Sequence, residues 1–308
     1  MISRTYIFIT LLVAAAQTTS PPEATSLLGR PLVSAPPTGE AKTRLEADLA
    51  KAQADYDRDP SSADAAIWLG RRLAYLGRFR DAIDIYSRGI QKHPDEPRLY
   101  RHRGHRYITV RKFDLAIADL RNASQLVAGR RDEIEPDGAP NKAGIPRSTL
   151  QSNIWYHLGL AQYLSGDFTA ALASYREGMK VSKVNDDMLV ATSDWLYMTL
   201  RRLKRDAEAR QVLEPIKEQM DILENTAYHQ RLLMYKGARA PESVLNLNTA
   251  DDVQIATQGY GVGNWYLVNG DRQKAREILE KVVAGRAWQA FGYIAAEAEL
   301  SRWAGRAG

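Results

Sequence analysis

The chain contains no cysteine among its 308 residues. This absence excludes disulfide bonds, thiolate metal sites, a cysteine nucleophile and a lipid anchor on cysteine. The sequence also lacks the H-E-x-x-H metal motif, a P-loop and a serine in a nucleophile elbow. The glycines between Gly259 and Asn264 superficially suggest a phosphate loop, but no strand precedes them and close helix packing explains them better. We therefore predict no enzymatic activity, no cofactor and no metal ion.

Long hydrophobic runs are absent except at the N-terminus, where an apolar run extends from Tyr6 to Ala16 behind Arg4. As a helix, this run would rise about 16 Å, against roughly 30 Å of membrane hydrocarbon. It is too short to span a membrane, and it ends in three alanines that suit a signal peptidase. The sequence predicts a signal peptide over residues 1–16, cleaved near Ala16, and an exported protein, periplasmic or extracellular. No membrane span is predicted in the mature chain.

Proline then dominates residues 17–39, which contain Pro21, Pro22, Pro31, Pro36 and Pro37. Such a composition disfavours helix and predicts a linker. From residue 40 onwards apolar side chains recur at helical spacing, so a helical domain is predicted over residues 40–304.

Within this domain the sequence repeats itself every 34 residues. Pro60 and Pro94, Gly70 and Gly104, and Ala82 and Ala116 are each separated by that interval. The third copy has Trp155, Leu158-Gly159, Gly166, Phe168, Ala171 and Tyr175 at the positions of the W-x2-L-G and A-x3-F patterns. The chain therefore resembles the tetratricopeptide repeat family. The resemblance implies an all-α, right-handed superhelical solenoid of antiparallel helix pairs that binds other proteins.

The array is expected to be uneven. Repeats are predicted at about 63–96, 97–130, 152–185, 190–223 and 256–289, with a degenerate unit at 224–255, an insertion loop at 131–151 and a capping helix at 287–304. Tyr197 and Pro215 depart from the repeat pattern and predict looser pairing in the fourth copy. We expect Glu297, Glu299, Arg302 and Arg306 to give the capping helix the polar outer face that ends a repeat array.

The net charge of +5 is unevenly distributed, because residues 71–131 hold 15 Lys or Arg against six Asp or Glu. In the family that the chain resembles, the first helix of each pair lines a concave groove. The resemblance implies a basic and aromatic groove that suits an acidic partner, since arginine binds carboxylates through two hydrogen bonds. The groove residues implied in this way are Arg71, Tyr75, Arg98, Arg101, His105, Tyr156, Tyr163, Tyr260 and Asn264.

Alternatives remain open at this level. The arginines could simply keep a helix surface soluble, or the basic surface 71–131 could bind an anionic polymer such as nucleic acid. An enzyme with an unrecognised site is a further alternative. His102 and His105 lie three residues apart on a predicted helix, but a metal ion would need more ligands, so solvated or groove-facing histidines are expected. The preferred hypothesis is an exported, non-catalytic scaffold that binds a peptide or partner protein in its groove.

Overall fold

The structure is a computed structural model that describes residues 21–35, 37–136, 138 and 141–305. The predicted signal peptide, residues 1–16, lies outside the described residues. The described chain folds into α-helices and one two-stranded hairpin. The helices are α1 Gly39–Arg58, α2 Ala63–Tyr75, α3 Phe79–Lys92, α4 Pro97–Thr109, α5 Phe113–Leu126, α6 Leu150–Ser165, α7 Phe168–Val181, α8 Asp186–Arg202, α9 Asp206–Val212, α10 Thr226–Tyr235, α11 Pro241–Val244, α12 Asp252–Val268, α13 Arg272–Ala284 and α14 Phe291–Ala304.

Consecutive helices pack against each other along the chain, as the 34-residue period predicts. The pairs α2–α3, α4–α5, α6–α7 and α12–α13 correspond to the four regular repeats, and each second helix also packs on the next first helix in the N-terminal half. The predicted all-α solenoid of helix pairs is confirmed. No helix among the described residues combines the length and the apolar character needed to cross a membrane.

Glycine at the helix crossings allows the paired helices to approach closely. A Cβ atom on Gly70 would lie 2.3 Å from the ring of Tyr86, and one on Gly159 would lie 2.7 Å from the ring of Tyr175. Both tyrosines are fully buried, so their rings have little room to move away. The Leu-Gly landmark of the sequence thus marks points where the two helices of a pair are in close contact.

Most turns between the two helices of a pair use a left-handed residue. Gly77, Gly166 and Gly270 have positive φ angles, as predicted for residues that end a helix. Arg111 takes the same place between α4 and α5, with a φ angle of 64°. Lys204 takes it between α8 and α9, in the fourth copy of the repeat (190–223), with a φ angle of 58°. Side chains other than glycine disfavour this conformation, so Arg111 and Lys204 add backbone strain.

The described part of the predicted linker, residues 17–39, contains a short hairpin and contacts distant helices. Strand β1 (Ala24–Thr25) pairs antiparallel with β2 (Pro31–Leu32). Glu23 accepts a hydrogen bond from the Arg80 backbone N–H, and Trp288 Nε1 donates to the Val33 carbonyl at 2.9 Å. Ala24, Ser26 and Leu32 are buried, and these contacts with distant residues offset the entropy cost of ordering a short proline-containing segment.

The irregular units predicted after residue 190 are visible as shortened helices. Helix α9 has seven residues and α11 has four. Between α9 and α10 the chain is held by Asp187, a fully buried carboxylate that accepts hydrogen bonds from the backbone N–H groups of Leu223, Glu224 and Asn225 at 2.8–2.9 Å. This carboxylate fixes the segment between two helices of the irregular units, which also pack against α8.

The capping helix is placed differently from the prediction. Helix α14 packs on α12 and α13 but also contacts α6 of the third repeat. Glu297 is 0% exposed and Glu299 is 2% exposed, so they do not form a polar outer face. Glu297 pairs with Arg111 and Glu299 pairs with Arg202. The prediction for these two glutamates was wrong because distant arginines neutralise them; Arg306 lies outside the described residues.

Candidate functional site

Positively charged and imidazole side chains from α2, α4 and α6 converge on one face of the array. Arg101, His102, His105 and Arg106 form a stripe on α4, because residues three and four positions apart lie on the same side of a helix. We define the basic inner face as the set of Arg71, Arg101, His102, His105, Arg106 and His157. Tyr75 and Tyr156 border this face: Arg71 Nη2 donates to Tyr75 Oη at 3.4 Å, and the rings of Tyr156 and His157 are 5.2 Å apart.

A single carboxylate from the insertion loop enters the basic inner face. Glu135 is 7% exposed and lies 3.0 Å from Arg101 Nε and 3.3 Å from His102 Nε2. The Nη1 group of Arg101 donates to His102 Nδ1 at 3.0 Å, so the assigned His102 tautomer carries its proton on Nε2, facing Glu135. The insertion 131–151 is therefore not only a solvated acidic loop, because Glu135 anchors it to the groove.

Burial controls the protonation of this face. It lowers the pKa of His102, His105 and His157 well below 6.5, and the neighbouring arginines lower it further. Burial also lowers the pKa of Arg106 to about 10, with Arg101 and Arg71 acting in the same direction. The imidazoles are therefore neutral near pH 7, and the positive charge of the face resides on the arginines.

Helix α14 occupies part of the predicted groove. The ring of Phe291, at its first residue, is 5.2 Å from the ring of His105 and 5.6 Å from the ring of His157. Further along the helix, Arg302 Nη1 donates to the Leu164 carbonyl at 3.0 Å. The groove expected from the repeat pattern is thus divided, and only the part beside α2 and α4 retains the basic face.

The predicted groove residues separate into three groups. Arg71, Tyr75, Arg101, His105 and Tyr156 lie at or beside the basic inner face.

A second group, Tyr163, Tyr260 and Asn264, is at most 2% exposed and belongs to the packing around α14. In that group Tyr260 Oη donates to Tyr163 Oη at 2.7 Å. The third group is Arg98 alone, at the start of α4, where it pairs with Glu96 and Asp64. Arg106, His102, His157 and Glu135 were not among the predicted site residues; the signal for Arg106 was its place one residue after His105 on the basic helix.

Two cavities open beside the basic inner face and share Glu224 in their walls. The first has a volume of about 130 Å³ and is lined by Arg71, Arg101, Arg147 and Glu135, among others. The second, which we call the aromatic cavity, has a volume of about 220 Å³, and Trp195, Tyr228, Tyr260 and Phe291 are among its walls. The position of Glu224 is set by Asp187, which holds its backbone N–H at 2.9 Å.

Many of the arginines in the basic stretch 71–131 have partners elsewhere. Arg72 lies 3.2 Å from Asp48, Arg78 lies 2.6 Å from Asp81, and Arg103 lies 2.7 Å from Asp119. These pairs reduce the positive surface that an anionic polymer would meet. No group of histidine and acidic side chains with the arrangement of a metal site occurs in the described part of the chain.

Comparison with known proteins gives two matches to family models, each described as a tetratricopeptide repeat, over residues 63–106 and 152–185. No curated protein matches the chain. Similar solved structures include YrrB, described as a tetratricopeptide repeat protein with an unusual peptide-binding site, at 14% identity and a TM-score of 0.43, covering 82% of this chain and 99% of YrrB.

Another similar structure is pilF of Pseudomonas aeruginosa, at 15% identity and a TM-score of 0.46, covering 79% of this chain and 85% of that one. A MamA structure, AMB-1, has 20% identity and a TM-score of 0.42, and the match covers 56% of this chain and 89% of the MamA chain. Such low scores describe partial superpositions, from which no function carries over. The family-model matches fall on the helix pairs α2–α3 and α6–α7, extending into α4. The chain therefore contains tetratricopeptide repeats in these two stretches, and repeats of this kind form scaffolds for protein–protein interaction.

Proposed function

We propose that this scaffold is exported, non-catalytic, and binds an acidic segment of a partner protein on the basic inner face. The observation that carries the proposal is the state of two guanidinium groups. Among the described residues, neither Arg71 nor Arg106 forms an ion pair with a carboxylate. Arg71 Nη1 donates only to a backbone carbonyl, that of Pro136, at 2.7 Å. The Cζ atom of Arg106 lies 5.6 Å from the centre of the Phe79 ring.

An arginine that is partly withdrawn from water without a counter-ion is energetically unfavourable. The pKa of Arg106, lowered to about 10 by burial, expresses this cost. A carboxylate from a partner would offset it, since a guanidinium group binds a carboxylate through two charge-assisted hydrogen bonds. Charge complementarity therefore favours an acidic ligand over a basic one.

The available space favours a short segment. Helix α14 fills the middle of the groove through Phe291, and the insertion loop covers Arg71 through the carbonyl of Pro136. The cavity against Arg71 and Arg101 has about 130 Å³, which suits one small acidic group rather than a whole helix.

Affinity capture from extracts of the native cell tests this proposal, with wild type compared to Arg71→Gln. The matched control is Arg176→Gln, which removes an arginine from an exposed pair with Glu208 on α7. We expect Arg71→Gln to lose partners that wild type and Arg176→Gln retain, while its circular dichroism spectrum stays unchanged. Equal recovery of every partner by the two variants would contradict the proposal.

Export rests on the sequence of residues 1–16 and has its own test. We expect the protein recovered from outside the cytoplasm to begin near Gln17, as measured by mass spectrometry of the intact chain. A protein that retains Met1 and fractionates with the cytoplasm would contradict the export part of the proposal and leave the binding part unaffected.

A further inference from the structure

The aromatic cavity next to the basic inner face has the size of a single side chain. It lies between α8, α10, α12 and the start of α14, and its volume is about 220 Å³. An apolar protein cavity of about 150 Å³ holds benzene, whereas sites for drug-sized ligands begin near 300 Å³. Its principal walls are Trp195, Met198, Tyr228, Tyr260 and Phe291.

The polar ends of these aromatic walls already have partners. Trp195 Nε1 donates to Tyr156 Oη at 2.9 Å, and the hydroxyl groups of Tyr156 and Tyr228 are 2.6 Å apart. Tyr260 donates to Tyr163 on the far side of the wall. The ring faces remain for contact within the cavity, so an apolar or aromatic group is the ligand that suits it best.

A cationic ligand is disfavoured in this cavity, although aromatic walls often attract cations. Arg231 is part of the wall and is held by Asp194, with Nε 3.0 Å and Nη2 2.9 Å from its carboxylate oxygens. The Cζ atom of Arg231 lies 4.7 Å from the centre of the Tyr228 ring. The aromatic face of Tyr228 is thus already occupied by a cation, and a second one would be repelled.

Glu224 connects the aromatic cavity with the cavity of the basic inner face, because it lines both. In the aromatic cavity its carboxylate would repel an acidic group, because Arg231 there is already held by Asp194. The cavity of the basic inner face also contains Glu224 and Glu135, but its three arginines outnumber these carboxylates, so the acidic part of a ligand is directed there. The aromatic cavity is left for a neutral neighbour of that group.

We propose that the cavity lined by Trp195, Tyr228 and Phe291 binds an aromatic side chain of the same partner segment whose acidic group binds Arg71. This inference rests on the proposed function and makes it more specific. The ligand has two parts, an acidic residue and an aromatic residue close to it in sequence. The basic inner face selects the first, and the aromatic cavity selects the second.

Selection from a library of random heptapeptides displayed on phage tests this proposal on the full mature chain. We expect enrichment of peptides with Phe, Tyr or Trp within a few residues of Asp or Glu. The enriched peptide is then synthesised with a fluorescent label in three forms: unchanged, with its aromatic residue replaced by Ser, and with its acidic residues replaced by Asn or Gln. Binding is measured by fluorescence anisotropy.

A variant that fills the cavity provides the second half of the test. Ala227 is a half-buried wall residue of α10, and Ala227→Phe places a ring in the cavity mouth. Ala170→Phe, at a half-buried position of α7 away from these walls, is the matched control. We expect Ala227→Phe to weaken the unchanged peptide at least tenfold and the Ser form hardly at all, while Ala170→Phe leaves both unaffected.

The outcomes separate this inference from the proposed function. If acidic residues are required but the aromatic residue is not, the acidic site stands and the aromatic cavity is not a binding site. If Ala227→Phe weakens both peptide forms equally, the aromatic selectivity arises elsewhere and the inference is overturned. If no acidic peptide is enriched and Arg71→Gln changes nothing, the proposed function itself is contradicted.

Discussion

Arg111 offers the sharpest test of how the C-terminal helix is held. It occupies the left-handed position that glycine occupies at Gly77, one 34-residue period earlier, and has a φ angle of 64°. Its side chain pairs with Glu297 at 2.6 Å and donates to the Trp288 carbonyl at 2.9 Å. Arg111 and Glu297 side chains are 2% and 1% exposed. The backbone strain at this position thus accompanies a buried contact across the array.

Replacing Arg111 with glycine has two opposing effects. Removal of one partner of a buried ion pair costs about 3–5 kcal/mol, because Glu297 is left buried without its partner. Glycine adopts the left-handed conformation without strain. After its larger loss of backbone entropy on folding is subtracted, this raises the free energy of unfolding by about 1 kcal/mol. We expect Arg111→Gly to lower the free energy of unfolding by about 2–4 kcal/mol. Without the buried pair, α14 should also open more readily.

Lys204 supplies the matched control, since it has a φ angle of 58° at the corresponding turn of the fourth repeat and is exposed. Lys204→Gly should raise the free energy of unfolding by up to about 1 kcal/mol. Urea titration followed by circular dichroism measures both variants, and hydrogen exchange reports on α14. If the two substitutions change stability in the same direction by similar amounts, the Arg111–Glu297 pair does not hold α14.

Three further predictions concern the core and the site. The pKa values of His102, His105 and His157 lie well below 6.5, so the unfolded chain takes up protons near pH 6 and the folded chain does not. The free energy of unfolding should therefore fall as pH is lowered from about 7.5 to 5.5, more steeply than in a variant with Gln at these positions; equal urea midpoints at both pH values would argue against it. Gly159→Ala should cost about 1–3 kcal/mol through contact with Tyr175, whereas Gly305→Ala, at a chain end with ample space, should change the thermal midpoint little. Asp187→Ala should increase proteolysis and hydrogen exchange of residues 223–225, and unchanged protection there would show that other contacts hold this segment.

The helices of the regular repeats could be predicted because their determinants are local and recur at a fixed interval. The residues Gly70 and Ala82 mark helix crossings, and Gly77 marks a turn, in positions that the 34-residue period repeats. Each landmark acts on its own helix pair. Such a pattern can be read without knowing where distant parts of the chain lie.

The placement of α14 could not be predicted in the same way. Arg111 and Glu297 are 186 residues apart, and no period relates them. Their pairing depends on how the irregular units between α8 and α12 bend the array. One local signal was present, since the second repeat has Arg111 where glycine is expected. A strained residue at a turn where the other repeats have glycine indicates a compensating contact. The sequence alone does not identify the partner in that contact.

The candidate site was predicted in part, for a related reason. Helix phase assigned Arg71, Arg101 and His105 to neighbouring first helices, and Arg71 and Arg101 line one cavity; phase could be used because it is a local property. It placed Arg98 with them, although the start of α4 brings Arg98 to the acidic side chains of Glu96 and Asp64. It also missed Glu135, whose loop has no periodic pattern. Side chains at helix ends and in insertions depend on tertiary contacts that periodicity does not encode.

Closure of the array has a consequence for how a partner is selected. Open repeat arrays can change curvature, because each unit contacts only its neighbours. In this chain Glu297 joins α14 to the turn after α4, Glu299 joins it to Arg202 of α8, and Glu297 also accepts the Leu27 backbone N–H. These contacts fix the distance between repeats that are far apart in sequence. The basic inner face and the aromatic cavity should therefore be preformed, and the two-part ligand that we propose would be selected by the spacing of its acidic and aromatic groups rather than by bending of the scaffold.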